Sequence, residues 1–540
     1  MLPPERRLEG VRRLIARQQY FTVHAPRQVG KTTSFLALAE SLTASGEYAA
    51  LLASCEVGQT FEPDLEGAID AVLAALISRA SVLPAELRPP EIDHSQPARV
   101  RLFDLLRRWA EKCPRPLVLF LDEIDALIDE ALLSVLRQLR TGFLDRPKHF
   151  PASIALIGLR DVRDYRVKSR SGSETPRSER LGTASPFNIK VESIRLRDFT
   201  QGEVAELYEQ HDRQTFASAA LERAFELTRG QPWLVNALAA ELVERVAGEK
   251  DSIDTEDIDA AKEALILRQD THLDSLIERL REPRVRRVIE PMLTGVDLGR
   301  ETSLEDHRYV RDLGLIVEGE SSNLEIANPI YHEIIPRALS SVAQAEIALD
   351  RRPFIAADGS LRFEALLAGF AIFWREHAES YLGRQPYSEA AAQLIFMAYL
   401  QRVVNGGGQV DREYGVGAGR IDLHVRWPRD DGSIDRYAVE LKVWRPGAPD
   451  PLEKGLDQLA AYLERLGLGR GVLIIFDARR SAPALTERMG EENRRHAGKE
   501  IEIRLIGYPV LRTPSTDNGS RGNLYAGCEC TSRRHDRRPF

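Results

Sequence analysis

The chain reads as a multidomain α/β protein: a parallel-sheet core, then a helical stretch, then a second α/β unit. Three observations predict this. Short apolar strands alternate with helical patterns through about residue 200, at Tyr20 to His24, Leu117 to Leu121 and Ile154 to Leu159, the layout of strands joined by crossover helices. From Thr200 the pattern turns helical. From Glu389 to about Arg512 strands and helices return together.

The length of 540 residues, 43% hydrophobic and 29% charged, suffices for several cores and three or more domains. The start MLPPERRLEG has no apolar run of signal-peptide type, and the longest apolar stretch, Ala365 to Trp374, is too short to cross a bilayer. A cytoplasmic protein without membrane contact is expected. Four cysteines over this length make no disulfide framework, and Cys55 and Cys113 fall in segments that read as buried structure. A net charge of −8 argues against broad electrostatic attraction to nucleic acid but permits a local basic groove.

Six stretches are expected: a nucleotide-binding core over 1–199, a helical lid over 200–280, a winged helix over 281–345, a helical connector over 346–385, a second α/β domain over 386–512, and a mobile tail over 513–540. Thr200 with Glu203 forms a capping box that opens the lid, and Thr255 opens a further helix after a polar turn. In RDLGLIVEGESSNLEIANPIYHEII a short apolar strand, a polar turn and a second strand follow helices, which suits a small winged-helix unit. The tail and the stretch from Lys168 to Ser185 are poor in apolar residues and are expected to be mobile.

The first chemical signature is HAPRQVGKTT. The strand YFTVH feeds a tight turn from Ala25 to Gly30, and Lys31, Thr32 and Thr33 open a helix whose N–H groups can cradle phosphates. Lys31 would neutralise β- and γ-phosphates of ATP, and the Thr32 hydroxyl would ligate Mg²⁺, as in the P-loop pattern. Ala25 stands where that pattern has its first glycine. Its partner is LVLFLDEID: the buried strand Leu117 to Leu121 delivers Asp122 and Glu123 to its C-terminal end. Asp122 can hold the Mg²⁺ through water, and Glu123 can orient or deprotonate the attacking water. Arg160, after the strand IALIGL, suits either a γ-phosphate sensor or a surface arginine.

These residues resemble the AAA+-related signal-transduction ATPases called STAND and the origin-recognition-like ATPases of bacteria and archaea. The resemblance spans about residues 10 to 345 and rests on APRQVGKTT, LFLDEID, TRGQPWLVNALA and GLI…IANPIY. It implies a nucleotide-driven switch, often a homo-oligomer, in which Gly230 and Pro232 of the lid lie near the nucleotide. Without the resemblance, Gly-Gln-Pro is a helix break and turn. The sequence identifies no trans-acting arginine.

The second signature is GRID…VELK…DQLAAY. Asp422 follows a glycine-rich turn on one strand, and Tyr437 to Val443 forms the next. Glu440 and Lys442 are two apart, so the strand period puts both on one face. Asp422 and Glu440 would bind Mg²⁺ or Mn²⁺ as hard oxygen ligands, with Lys442 positioning water and stabilising charge on a phosphate, the chemistry of phosphodiester hydrolysis. Alone, Glu-x-Lys also suits a cross-strand charge pair. Gln458 and Tyr462 share a helix face, and the strand GVLIIFD follows.

This order resembles the PD-(D/E)XK nuclease superfamily over about Glu389 to Tyr508, with its restriction-endonuclease-like fold. The resemblance implies metal binding by Asp422 and Glu440, catalysis by Lys442, support or substrate contact by Gln458 and Tyr462, and a helical acidic residue at Glu389, while Ile421 replaces the superfamily's named proline. His424, His377, and Cys528 with Cys530 lack partners at metal-site spacing. The arginine-rich end SRRHDRRPF suits a solubilising tail or nonspecific phosphate attraction. The expected function is an ATPase that controls a nuclease acting on DNA or RNA, with a role in defence against foreign nucleic acid. The alternative is a regulatory ATPase using an inactive nuclease fold as a binding platform.

Overall fold

The alternating apolar residues of LVLFL divide between two cores, which fixes the first domain. In the computed structural model, which describes residues 2–3, 6–61, 64–161, 166–169, 177–180, 187, 189–246, 248, 250–268, 271–294, 303–319, 324–347, 349–384, 390–404, 407–413, 422–429, 431–479 and 488–508, five strands form one parallel sheet. They are β1 (Phe21–His24), β2 (Ala49–Ser54), β3 (Leu117–Asp122), β4 (Ser153–Gly158) and β5 (Glu192–Arg195), in the order β2-β3-β4-β1-β5. Leu117, Leu119 and Leu121 face a core shared with the Leu65–Ala80, Ala98–Lys112 and Asp129–Thr141 helices. Val118 and Phe120 face a second core with Phe35, Leu38 and Leu42 of the Lys31–Ala44 helix. A sheet buried on both faces needs such apolar runs.

The lid begins at the expected capping box. Thr200 Oγ1 accepts from the Glu203 backbone N–H, and the Glu203 carboxylate accepts from the Thr200 N–H. That carboxylate also pairs with Arg197, first among the causes that hold it down to about 2. The lid helices are followed by helices Thr271–Arg279, Pro283–Thr294 and Leu304–Asp312, then an antiparallel ribbon of Ile316–Glu318 with Leu324–Ile326. The long Pro329–Glu346 helix comes next.

The second sheet is mixed. Its strands are β6 (Gln409–Glu413), β7 (Asp422–Pro428), β8 (Ile434–Trp444), β9 (Arg470–Asp477), β10 (Met489–His496) and β11 (Lys499–Gly507), in the order β6-β7-β8-β9-β11-β10. β8, β9 and β11 run parallel, while β6, β7 and β10 pair antiparallel to their neighbours. One face packs on the Phe363–Arg384 and Ala391–Val404 helices through Leu423, Val439, Leu441 and Phe476. The other is covered by the Leu452–Leu466 helix through Leu456, Leu459 and Leu463. The stretch expected as a connector therefore buries Phe370 and Trp374 in this sheet's core, and the Trp374 indole N–H donates to Gly507 O at 2.8 Å.

Within the arginine- and serine-rich stretch expected to be mobile, Arg166–Ser169 pairs antiparallel with Arg177–Arg180. The ribbon's ladder bonds need no apolar content, which is why composition alone misses it. The tail from residue 513, with Cys528 and Cys530, lies outside the described residues, as does Glu389. Among the described residues no helix is long and apolar enough to cross a membrane.

Candidate functional site

The first site forms at the C-terminal ends of β1 and β3. Gly30 takes φ +82°, a left-handed turn that glycine adopts without strain, and ends the loop so that Lys31 starts its helix. The N–H groups of that first turn point at the loop. Lys31 Nζ donates to the carbonyls of Ala25 and Pro26, both at 2.8 Å. Burial lowers its pKa to about 8, partly offset by Asp122, Asp125 and Glu123.

Thr32 Oγ1 donates to Asp122 Oδ2 at 2.5 Å, joining the helix start to the end of β3. Burial raises the Asp122 pKa, against the Thr32 hydroxyl and the Glu123 backbone N–H, which both favour the charged form. Glu123 has left-handed φ of +53° and accepts from Ser54 Oγ at 2.8 Å. Its charge raises the pKa of the neighbouring Glu56. Thr33 is exposed one residue further along the helix. Asp125 accepts from the Leu159 N–H at 3.1 Å, which ties the end of β3 to the residue after β4.

Arg160 is not a surface arginine. It is buried, and its Nε donates to Asp312 Oδ2 at 2.9 Å, at the end of the Leu304–Asp312 helix. Its guanidinium also lies 5.3 Å from the Tyr309 ring centroid, and that of Arg284 lies 4.2 Å from the same ring. Just beyond, Gly314 at φ +79° leaves so little room that a Cβ would stand 2.8 Å from Pro26 Cβ. The three-helix-and-ribbon unit thus touches the turn over 25–30 itself.

Gly230 and Pro232 form the predicted break. Arg229 and Gly230 are left-handed, Gln231 caps the next helix by accepting from the Leu234 N–H, and Pro232 is its first residue. Phe199 N–H donates to Gly230 O at 2.8 Å. Arg7 completes a connection that the motifs do not signal. Its Nη1 donates to Val29 O at 2.7 Å, its Nη2 donates to Arg197 O at 2.5 Å, and its guanidinium lies 4.8 Å from the Phe199 ring centroid.

In the second sheet the register sets Asp422 opposite Glu440. Glu440 is 1% exposed, at the strand centre, and its Oε1 contacts Lys442 Nζ. Glu440 and Lys442 alternate with Val439 and Leu441, which belong to the opposite core, so they face the Leu452–Leu466 helix. That helix comes close at Gly455, where a Cβ would lie 3.5 Å from Lys442 Cγ and 2.8 Å from Leu473 Cδ1. Gln458 follows one turn on, and its Oε1 is buried without a hydrogen-bond partner among the described residues. Tyr462 is buried in the core between helix and sheet. Gly455 is a site residue the sequence reading missed, because a lone helical glycine carries no motif. Among the described residues no group of three His, Cys, Asp or Glu side chains gathers as a metal cluster.

Among solved structures, the chain is similar to RuvB of Thermotoga maritima. A threonine-to-valine variant is 19% identical, the match covering 60% of this chain and 90% of that one, with a TM-score of 0.32. The structure described as the RuvB Holliday junction branch migration motor is 18% identical over the same shares, also at 0.32. Cdc6p from Pyrobaculum aerophilum is 12% identical, covering 63% of this chain and 95% of that one at 0.33. No family model and no curated protein matches the chain.

Proposed function

We propose that the chain is an ATP-hydrolysing switch controlling a metal-dependent phosphodiesterase domain on the same polypeptide, with nucleic acid as substrate. The observation that carries the reading is the meeting of Lys31, Thr32, Asp122 and Glu123 where a tight glycine turn, a helix N-terminus and a buried strand end converge. The Thr32 hydroxyl and Asp122 carboxylate are adjacent hard oxygens and fit Mg²⁺. Bound there with ATP, the ion would neutralise charge on the phosphates. Lys31 would pair with a phosphate, and Glu123, held by Ser54, would orient a water.

In the second domain, Asp422 and Glu440, in register on neighbouring strands, would supply hard oxygens to Mg²⁺ or Mn²⁺, and Gln458 on the covering helix would support the site or contact substrate. Such an ion would polarise a phosphoryl oxygen. Lys442 would hold water or offset charge at the same face. The stretch 281–345 serves in this reading as a winged helix. A second reading, a regulatory ATPase with an inactive platform, is favoured by the direct Glu440–Lys442 contact, which already neutralises the buried carboxylate.

The test is cleavage of plasmid and single-stranded substrates by the full chain with Mg²⁺ or Mn²⁺, with and without ATP. Cutting that disappears in Lys442→Ala is expected. Absence of cutting under every condition, with ATP turnover intact, selects the second reading.

A further inference from the structure

Two runs of polar contacts lie between the candidate sites, one on each side of the lid, and one side chain stands at the junction with the second sheet. Near the first site, Arg7 ties Val29 of the glycine turn to Arg197 and Phe199, and Phe199 bonds Gly230 in the turn before the Pro232–Glu241 lid helix. A shift of the turn on binding an anion therefore bears on the lid through defined bonds. At the far side of the lid, the Thr255–Arg268 helix presents Lys262 and Glu263 to the Pro329–Glu346 helix. Lys262 Nζ donates to Glu333 Oε1 at 2.7 Å, both side chains nearly fully buried. One turn on, Arg337 grips Glu263 with two parallel bonds, Nη1 to Oε1 at 2.6 Å and Nη2 to Oε2 at 3.1 Å.

The same Nη2 also donates to the backbone carbonyl of Val410 at 3.1 Å, on β6. That strand is the edge of the second sheet. Glu413, further along it, is in register with Asp422, and Asp422 with Glu440. A guanidinium is planar and always charged, so its fork holds the carboxylate and the carbonyl in one fixed geometry that a lysine could not reproduce. The Pro329–Glu346 helix is further fixed to the Ala391–Val404 helix by Ser340 Oγ donating to Gln401 Oε1 at 3.2 Å, both residues buried.

We propose that Arg337 is the positioning residue through which the lid sets the placement of the β6 edge strand, and so the alignment of Asp422 with Glu440. This rests on the reading of the chain as an ATP-controlled phosphodiesterase. Arg337 touches neither nucleotide nor reacting atoms; it transmits, by holding Glu263 and Val410 to one another.

The experiment is amide hydrogen exchange of the full chain with and without a non-hydrolysable ATP analogue and Mg²⁺, in wild type, Arg337→Met and Glu263→Gln. Glu263→Gln keeps the shape of the contact and removes only its charge, so it remains informative where Arg337→Met loses its fold. In wild type, nucleotide slows exchange over 25–33 and changes exchange over 407–413 by about fivefold or more, the low end of coupling between sites. Both variants are expected to keep the response at 25–33 and lose it at 407–413. A purely structural arginine would raise exchange at 407–413 equally with and without nucleotide, which overturns the proposal. So does a variant that keeps the nucleotide response there, or a wild type with none.

The failures are distinguishable. No protection at 25–33 sinks the ATP reading as well, whereas protection at 25–33 with no Lys442-dependent cutting sinks only the phosphodiesterase half of the parent reading.

Discussion

Binding of ATP should draw a proton onto Lys31, and the size of that uptake follows from the site. Burial beside the carbonyls of Ala25 and Pro26 lowers the lysine from an ordinary value near 10.5 to about 8, with Asp122, Asp125 and Glu123 opposing the effect. The gap corresponds to about 3 kcal/mol against the charged form. A triphosphate placed at the helix start adds several negative charges within contact distance and restores the ordinary range. Because the unliganded pKa lies below the bound one, uptake is small at pH 7, where both forms hold the proton, rises to its maximum at about pH 9, and falls again as pH approaches the bound value. It should be about a tenth of a proton at pH 7, about half at pH 8 and about nine tenths at pH 9. Apparent affinity for ATP falls over the same interval as pH rises. Calorimetric titration in two buffers of different ionisation enthalpy at each pH reads the uptake directly. Lys31→Arg keeps the charge but does not titrate there, so its uptake should vanish. Uptake near zero at pH 9 in wild type, or unchanged in Lys31→Arg, refutes the assignment of Lys31 as the buried phosphate partner.

Glu123→Gln should bind nucleotide as wild type does and turn it over about 100-fold more slowly, because the amide cannot accept a proton from water; equal turnover in a phosphate-release assay removes Glu123 from the chemistry. Gly230→Ala should destabilise the protein by about 2–4 kcal/mol in urea unfolding, since the new Cβ would lie 1.9 Å from Phe199 O at a left-handed backbone position. A loss under about 0.5 kcal/mol would show that the lid is not seated on Phe199 in this way. Arg160→Ala leaves Asp312 largely buried without its guanidinium and should release the Leu304–Asp312 helix, at a cost of about 2–3 kcal/mol; hydrogen exchange over 304–312 should rise, and unchanged exchange there contradicts a clasp between the two units.

Much of the candidate site was legible because its signals are local. The apolar run of β3 announces a doubly buried strand, and a strand in such a sheet ends where Asp122 and Glu123 stand. Gly30, Lys31 and Thr32 follow β1 at the spacing a tight turn and helix start require. The capping box at Thr200 lies within four residues and was equally readable. Glu440 and Lys442 follow from the strand period alone, and the placement of Glu440 opposite Asp422 needed only the antiparallel pairing of β7 with β8.

The contacts that give those residues their surroundings were not legible. Arg160 and Asp312 are separated by 152 positions, Arg7 and Val29 belong to no shared motif, and Arg337 meets Glu263 and Val410 from more than 70 positions away in either direction. By itself the sequence determined the strands that carry the motifs, the turn at Gly30 and the helix starts at Lys31 and Thr200, because periodicity and turn chemistry act over a few residues. Only the tertiary structure decided which charged side chains are buried together, because an ion pair between distant segments has no period and depends on how helices pack on each sheet. The consequence is visible at Arg160: its chemistry admitted either an exposed charge or a phosphate sensor, and the approach of the Leu304–Asp312 helix buries it and gives it a carboxylate partner.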